Sequence, residues 1–536
     1  MPIQQFPAPL IPPIIQDKAL LTPTLQSASS AMAQKNYPTA LAQFRAVMHY
    51  AENAFLQNEE IAGDIEKIWW QILSLAINAR HYEIALMVSR KLYINALNQQ
   101  QPDTKKILFG SNWLQVLIKL NRGQQAKLLA KDLLQYLSNQ EPSTNQQSQT
   151  KWIYMQLADL AMKENDFATA IAIMKKIDEK KLSPPDVNNF WRIYSFACLK
   201  FGDYQTGFHY YEYRAMMADP AYPYFPDNPL HEKNKKWLGQ ATDNLLITAE
   251  QGLGDALQFV RFLPAIKPYV KKIIFELQPP LISLLQQSPV CHGVVLMPFG
   301  TQPSQQIDHW CFLNSLPFLL QEKISPPYNE MAMQPFYQPP QPYLKIQKKD
   351  FFANMPSVIQ RKKYKIGLVW ATSVGGPSGE ARTMRLIDFA PLLADEKIVK
   401  SVDFYAMQLG SAQQEITAQG FSGIIHDLSP AMKNFADSAS IIESLDLLIT
   451  VDTAVVHIAG GLGKKTFVLI PLKHDWRWDK LTKKNWHGIK NATSSFWYPE
   501  SHVVFCQTAD GDWSEVMVAV KSCLLNFLNK HSQKNT

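Results

Sequence analysis

The sequence predicts a helical first part followed by an α/β second part, on three observations. Glycine is scarce and uneven, with six of the 22 before residue 240 and sixteen after it. A short phrase, aromatic in most copies, recurs through the first 215 residues. Beyond residue 244, short β-branched or apolar runs alternate with helical patterns. Glycine serves tight strand-to-helix turns and close backbone approach to ligands. Its bias therefore places any chemistry downstream of residue 240.

Residues 1–28 read as an N-terminal extension. The opening MPIQQFPAPLIPPIIQ lacks a basic head and a continuous apolar core, so it is not read as a signal peptide. Residues 29–215 carry the repeat: Asn36-Tyr37-Pro38-Thr39-Ala40, His81-Tyr82-Glu83-Ile84-Ala85, Arg122-Gly123-Gln124-Gln125-Ala126, Asp166-Phe167-Ala168-Thr169-Ala170 and Asp203-Tyr204-Gln205-Thr206-Gly207. Each describes a helix starting after a short loop, with a small residue where helices pack closely. The small residues fall 45, 41, 44 and 37 positions apart, enough for two helices per interval. The phrases resemble degenerate tetratricopeptide (TPR) repeats, whose period is about 34 residues; a generic α-solenoid is the alternative. Either array offers a surface of the kind that grips a peptide or protein. Residues 216–243, rich in proline and aromatics up to 240, read as a linker and an ordered strap.

The second part divides at a proline-rich stretch (325–343). Strand runs are expected at 245–248, 273–277 and 294–297, then at 366–369, 404–407, 447–451 and 467–470, with helical patterns at 256–268, 279–288, 386–394 and 434–445. This alternation implies βαβ units and two Rossmann-like domains, 244–345 and 346–536. In open parallel sheets ligands bind beyond the carboxyl ends of the strands, so the loops there carry the functional weight.

Three loops stand out. In Glu250-Gln251-Gly252-Leu253-Gly254-Asp255, two glycines allow a tight turn and Asp255 falls near a helix start. It reads either as a proton acceptor facing a cleft or as an N-cap. In Val451-Asp452-Thr453-Ala454-Val455-Val456-His457, Asp452 and Thr453 suit a helix start whose amides form an anion site. His457, four residues after Thr453, faces either the same ligand or the core. The third loop runs from Trp370-Ala371-Thr372-Ser373 through Gly375, Gly376 and Gly379 to Arg382 and Arg385. It reads as a flexible loop closing an arginine fork over a diphosphate, or as a surface loop.

Bulk numbers mostly exclude. The composition is 46% hydrophobic and 18% charged, with net charge +7 and no long basic run, so a nucleic-acid partner is not expected. Five scattered cysteines without a CxxC pair suit a reducing compartment, so a cytoplasmic protein is expected. No apolar run reaches about 18 residues, so no membrane span is expected.

Residues 244–520 are similar to bacterial TPR proteins with a glycosyltransferase domain akin to the ADP-heptose heptosyltransferases of glycosyltransferase family nine. The matching phrases are EQGLGDALQFVRFLP (250–264), KIGLVWA (365–371), RTMRLIDFAPLL (382–393), FADSASIIESLDLLITVDTAVVHIAGGLGKKTFVLIP (435–471), DWRW (475–478) and GDW (511–513). The preceding array, with FGDYQTGFHYYEYR (201–214), matches the usual partner domain. The resemblance implies a GT-B fold with no metal and no cofactor beyond the nucleotide-sugar donor. It makes Asp255 the general base, sets Asp452, Thr453 and His457 on the donor's phosphates and sugar, and sets Arg382 on the diphosphate. Gly252, Gly254, Thr372 and Gln408 complete the expected donor side, and Trp476-Arg477 is a candidate sugar-facing patch. Ala454 stands where the heptosyltransferases carry Gly, the loop 372–381 lacks their Thr-Thr-x-x-x-Lys phrase, and Arg385 stands where proline is expected. The expected activity is sugar transfer to a protein or cell-surface glycan presented by the array. The rivals are a non-catalytic scaffold and a nucleotide-sugar epimerase.

Overall fold

The computed structural model describes residues 20–34, 36–55, 62–78, 80–139, 144–215, 230–324, 342–351, 363–372, 376–479 and 492–532. Most of the N-terminal extension, the linker from 216 to 229, the stretch 325–341 and Ser373–Gly375 lie outside the described residues. The chain divides into two compact units, 1–193 and 194–536.

Unit 1 is built from helical hairpins. Its helices are α1 (Leu21–Ala33), α2 (Tyr37–Phe55), α3 (Ala62–Asn78), α4 (Tyr82–Asn98), α5 (Asp103–Lys119), α6 (Gly123–Ser138), α7 (Thr144–Lys163), α8 (Phe167–Met174) and most of α9 (Pro184–Phe201); α10 (Tyr204–Tyr211) belongs to unit 2. Every repeated phrase begins the second helix of a hairpin, as its pattern requires. The turns share one geometry. Asn36, His81, Arg122, Asp166 and Asp203 each donate a backbone N–H to the carbonyl five residues back, at 2.8–2.9 Å. Arg80, Asn121, Asn165 and Gly202, which precede four of them, have φ of 58°, 58°, 60° and 90°. This is the Schellman closure of a helix by a left-handed residue. Asp166 and Asp203 then cap the next helix through Thr169 and Thr206. The small residues Ala40, Ala85, Ala126 and Ala170 are fully buried, so helices meet there.

The expected array reaches residue 215, but packing assigns 194–215 to unit 2. Tyr204, Phe208 and Tyr211 share a core with Leu245, Ile247 and Trp497, so burial of these rings, more than the repeat pattern, decides their place. Unit 2 holds two sheets. The first contains β1 (Thr242–Thr248), β2 (Val270–Leu277), β3 (Val294–Pro298) and β4 (His309–Phe312), all parallel in the order β3-β2-β1-β4. The second contains β5 (Tyr364–Val369), β6 (Val402–Ala406), β7 (Ile425–Asp427), β8 (Leu447–Val451), β9 (Thr466–Ile470), β10 (Ala492–Ser494) and β11 (His502–Cys506). Its order is β10-β11-β9-β8-β5-β6-β7, with only β10 antiparallel.

All seven expected strands are present. Several read as continuous apolar runs because helices cover both faces; β8 and β9 are buried at every position. The helices used below are α11 (Leu253–Phe259), α12 (Leu316–Ile324), α13 (Gly376–Arg382), α14 (Phe435–Ser444), α15 (Ala454–Gly461) and α16 (Ser514–Ser532). The patterns at 256–268, 279–288 and 386–394 are instead broken into short α and 3-10 turns. Pro264, Pro268, Pro279, Pro280 and Pro391 fall within them and cannot sustain a helix interior. The proline-free pattern at 434–445 forms one helix, α14.

Candidate functional site

The loop after β1 turns through Gln251, a non-glycine residue at φ 62°. Gly252 occupies the N-cap of α11, and its N–H donates to Asp255 Oδ2 at 2.9 Å. Asp255 thus does serve the helix start, from its third position and with one oxygen only. The other oxygen, Oδ1, is held by the Arg477 guanidinium. Arg477 also pairs with Asp475 at 2.8 Å and donates from Nε to Gln258 at 2.7 Å. Burial raises the Asp255 pKa, against the opposing pull of Arg477.

The loop after β8 supplies the second group. Thr453 is the N-cap residue of α15, yet its hydroxyl makes no capping bond to that helix. Asp452 is buried, and Arg382 lies 3.2 Å from its carbonyl and 3.8 Å from its carboxylate. Burial pushes Asp452 up to about 6, with Arg382 opposing. His457 is 5% exposed, shares a 2.9 Å hydrogen bond from Nδ1 with the Tyr498 hydroxyl, and lies nearly parallel to Trp478. Burial, reinforced by Arg477 and Arg261, holds its pKa well below the ordinary value. A ring held that far below its ordinary value does not present a cation to an anion near pH 7.

Gly254 joins the two loops. A Cβ built there would lie 3.0 Å from His457 Cδ2, 3.5 Å from its Nε2 and 3.5 Å from Ala454 Cα. Glycine alone leaves that space, and α11 and α15 pack against each other across it. Sequence residues more than 200 positions apart therefore form one site, with Asp255, Asp475 and Arg477 on one side and Arg382, Asp452, Thr453 and His457 on the other.

The third loop departs from its reading. From Gly376 to Arg382 the chain is the helix α13, so the second half of the expected flexible loop is ordered and places Arg382 at a helix end. The Thr372 amide donates to Thr383 Oγ1 at 3.3 Å, and that hydroxyl donates to the Gly379 carbonyl, closing the segment on itself. Gln408 is not a donor-facing side chain. Its Oε1 accepts from the Trp370 and Ala371 amides at 3.1 and 2.9 Å, and its Nε2 donates to the Ala371 and Leu409 carbonyls. Its amide is spent fixing the backbone after β5.

Trp476 is likewise not a sugar platform. It is 1% exposed and packs edge-on against Phe208 and Trp497, so its faces belong to the core. Its neighbour Arg477 lays its guanidinium over the Trp476 ring, 4.5 Å from the centroid, and reaches on to Asp255. Tyr498, Arg261 and Gln258 were missed by sequence reasoning. The polar Gln258 and charged Arg261, set among apolar residues (Ala256-Leu257-Gln258-Phe259-Val260-Arg261-Phe262-Leu263), were the available signal. Among the described residues no group of three or more His, Cys, Asp or Glu is placed to hold a metal ion, and no helix is long and apolar enough to cross a membrane.

Unit 1 carries its own cavity of about 710 Å³, lined by the second helices of successive hairpins and by α5. Arg45, Arg90, Tyr93, Trp113, Leu128 and Asp132 are among its walls, and Leu128 is 67% exposed.

No protein-family model matches the chain, and no curated protein matches it in sequence. Among solved structures it is similar to the E. coli heptosyltransferase WaaC with ADP-2-deoxy-2-fluoro heptose, at 12% identity and TM-score 0.33, over 53% of this chain and 99% of that one. It is similar to a glycosyl transferase family 9 protein from Veillonella parvula, at 11% identity and TM-score 0.34, over 50% of this chain and 87% of that one. It is also similar to BtubC from P. vanneervenii, at 14% identity and TM-score 0.28, over 39% and 84% respectively.

Proposed function

We propose that this chain is a GT-B glycosyltransferase that moves a sugar from a nucleotide-diphospho-sugar to an acceptor. The observation that carries the reading is the contact at Gly254, which sets a carboxylate beside an anion-suited helix start. Asp255 takes the proton of an acceptor hydroxyl as its oxygen bonds the sugar's anomeric carbon. The bond from that carbon to the diphosphate breaks, and the departing charge is met by the first amides of α15, the Thr453 hydroxyl and Arg382. Protein groups carry this stabilisation, so a chelator should leave the rate unchanged.

The acceptor in this proposal is a protein or surface glycan gripped by TPR-like unit 1, whose cavity offers arginine and aromatic walls. A cytoplasmic setting is part of the reading, supported by five free thiols, four of them buried.

The test is a thermal-shift panel of ADP-, GDP-, UDP- and CMP-sugars, followed by turnover with the donor that binds. Asp255→Asn should keep donor binding and lose roughly 10²–10⁴-fold in kcat. Binding of no donor removes the enzyme reading in favour of a scaffold. Conversion of the donor without any acceptor favours an epimerase.

A further inference from the structure

We infer that Tyr498 and Arg261 are positioning residues that hold His457 with its proton on Nε2, the ring edge turned toward Gly254. A buried chain of hydrogen-bonding groups leaves each proton one place to go. The Tyr343 hydroxyl lies 3.1 Å from the Leu257 carbonyl, which only accepts, so the single Tyr343 proton goes there. Arg261 only donates. Its Nη2 reaches the Tyr343 oxygen at 3.2 Å, and its guanidinium also hydrogen-bonds the Tyr498 hydroxyl. The Tyr498 oxygen is thus already an acceptor.

Its own proton has two candidate destinations, His457 Nδ1 at 2.9 Å and the Tyr343 oxygen at 3.4 Å. The first is shorter, and the second oxygen already accepts from Arg261. The nearby cation polarises the Tyr498 O–H and makes it a better donor. Nδ1 is then the acceptor, and a neutral imidazole carries its one proton on Nε2.

The packing fixes the geometry. Tyr498 is fully buried, with its ring 4.6 Å from His502 and its centroid 4.6 Å from the Arg261 guanidinium carbon. A Cβ on Gly460 would fall 2.3 Å from that ring, so α15 and Tyr498 are in direct register. The Nε2–H is an uncharged donor in the first turn of α15, suited to a phosphate oxygen. That use rests on the glycosyltransferase reading; the tautomer does not.

The experiment is ¹⁵N NMR of the full chain labelled at histidine, with His457→Gln assigning the signal. In the native protein, His457 should show a pyridine-type Nδ1 and a protonated Nε2. Tyr498→Phe keeps the ring and removes the O–H, so the proton should redistribute to Nδ1. Tyr343→Phe should leave the tautomer as it was. A protonated Nδ1 in the native protein overturns the inference without needing any variant to fold, as does a folded Tyr498→Phe with an unchanged tautomer. Inorganic pyrophosphate should bind roughly three- to tenfold more weakly to Tyr498→Phe, the loss of one oriented hydrogen bond. If pyrophosphate fails to bind a native protein that shows the Nε2–H form, the donor reading falls and the tautomer stands.

Discussion

Buried Arg477 stands between the half-buried Asp255 and the exposed Asp475, and its removal leaves both carboxylates without their shared cation. Arg477→Met should cost about 1–3 kcal/mol in urea unfolding, because charge-assisted hydrogen bonds are lost while solvent still screens Asp475. Since Arg477 lowers the Asp255 pKa, the same change should move the basic-group limb of the kcat/KM profile to higher pH. A second residue gives a stability signature. Burial opposes a charged His474 ring, but the 3.1 Å contact with Asp479 and the neighbouring Cys506 outweigh it and push His474 up to about 10. Its folded pKa lies above the unfolded value near 6.5, so this stabilisation is complete below about 6.5 and fades as pH rises toward 10. Unfolding midpoints should therefore fall between pH 7 and 9, and His474→Gln should flatten that slope. At this scale the sequence was half legible. Asp255 and Arg382 announce themselves in glycine-containing loops, and Asp452 and His457 by following the apolar strand β8. Trp476 and Arg477 do not, since both are buried with the guanidinium stacked on the indole, and composition cannot say that such a pair faces inward.

The hairpin turns make the elements testable. Arg80, at φ 58°, holds a conformation that costs an L-residue roughly 1 kcal/mol. Arg80→Gly should stabilise unit 1 by about 0.5–1 kcal/mol, and Arg80→Val should do the opposite, as read from denaturant midpoints. Elements were legible where one force dominated. The buried parallel strands β1, β2, β5, β8 and β9 show as apolar runs. The strand β4 lies at a sheet edge and spells His309-Trp310-Cys311-Phe312, an apolar stretch too short and too poor in β-branched residues to mark a strand. The broken helices looked whole because apolar spacing survives a proline even when the hydrogen-bond ladder does not.

Across unit 2, α15 is the element on which distant segments converge. Gly460 lies against Tyr498, and Gly461 against Leu344 and Tyr343 from the segment between the two sheets. Gly460→Ala would drive a methyl into the Tyr498 ring and should cost about 1–3 kcal/mol in unit 2 unfolding. The fold class was legible from glycine bias, repeats and alternation. The Arg261–Tyr498–His457 chain was not, because its members lie up to 237 residues apart in sequence and look like ordinary core positions.

The strand order also sets a timetable. Each hairpin of unit 1 closes through a bond spanning five residues, so it can form as soon as its own turn exists. In the second sheet, β5 must wait for β8, about 80 residues later in register, before its other edge is covered. Contacts so distant in sequence are slow to form. During synthesis the helical unit is therefore able to fold while β5 still shows a bare, apolar edge, and the interval between residues 369 and 447 is when this protein is most exposed to aggregation.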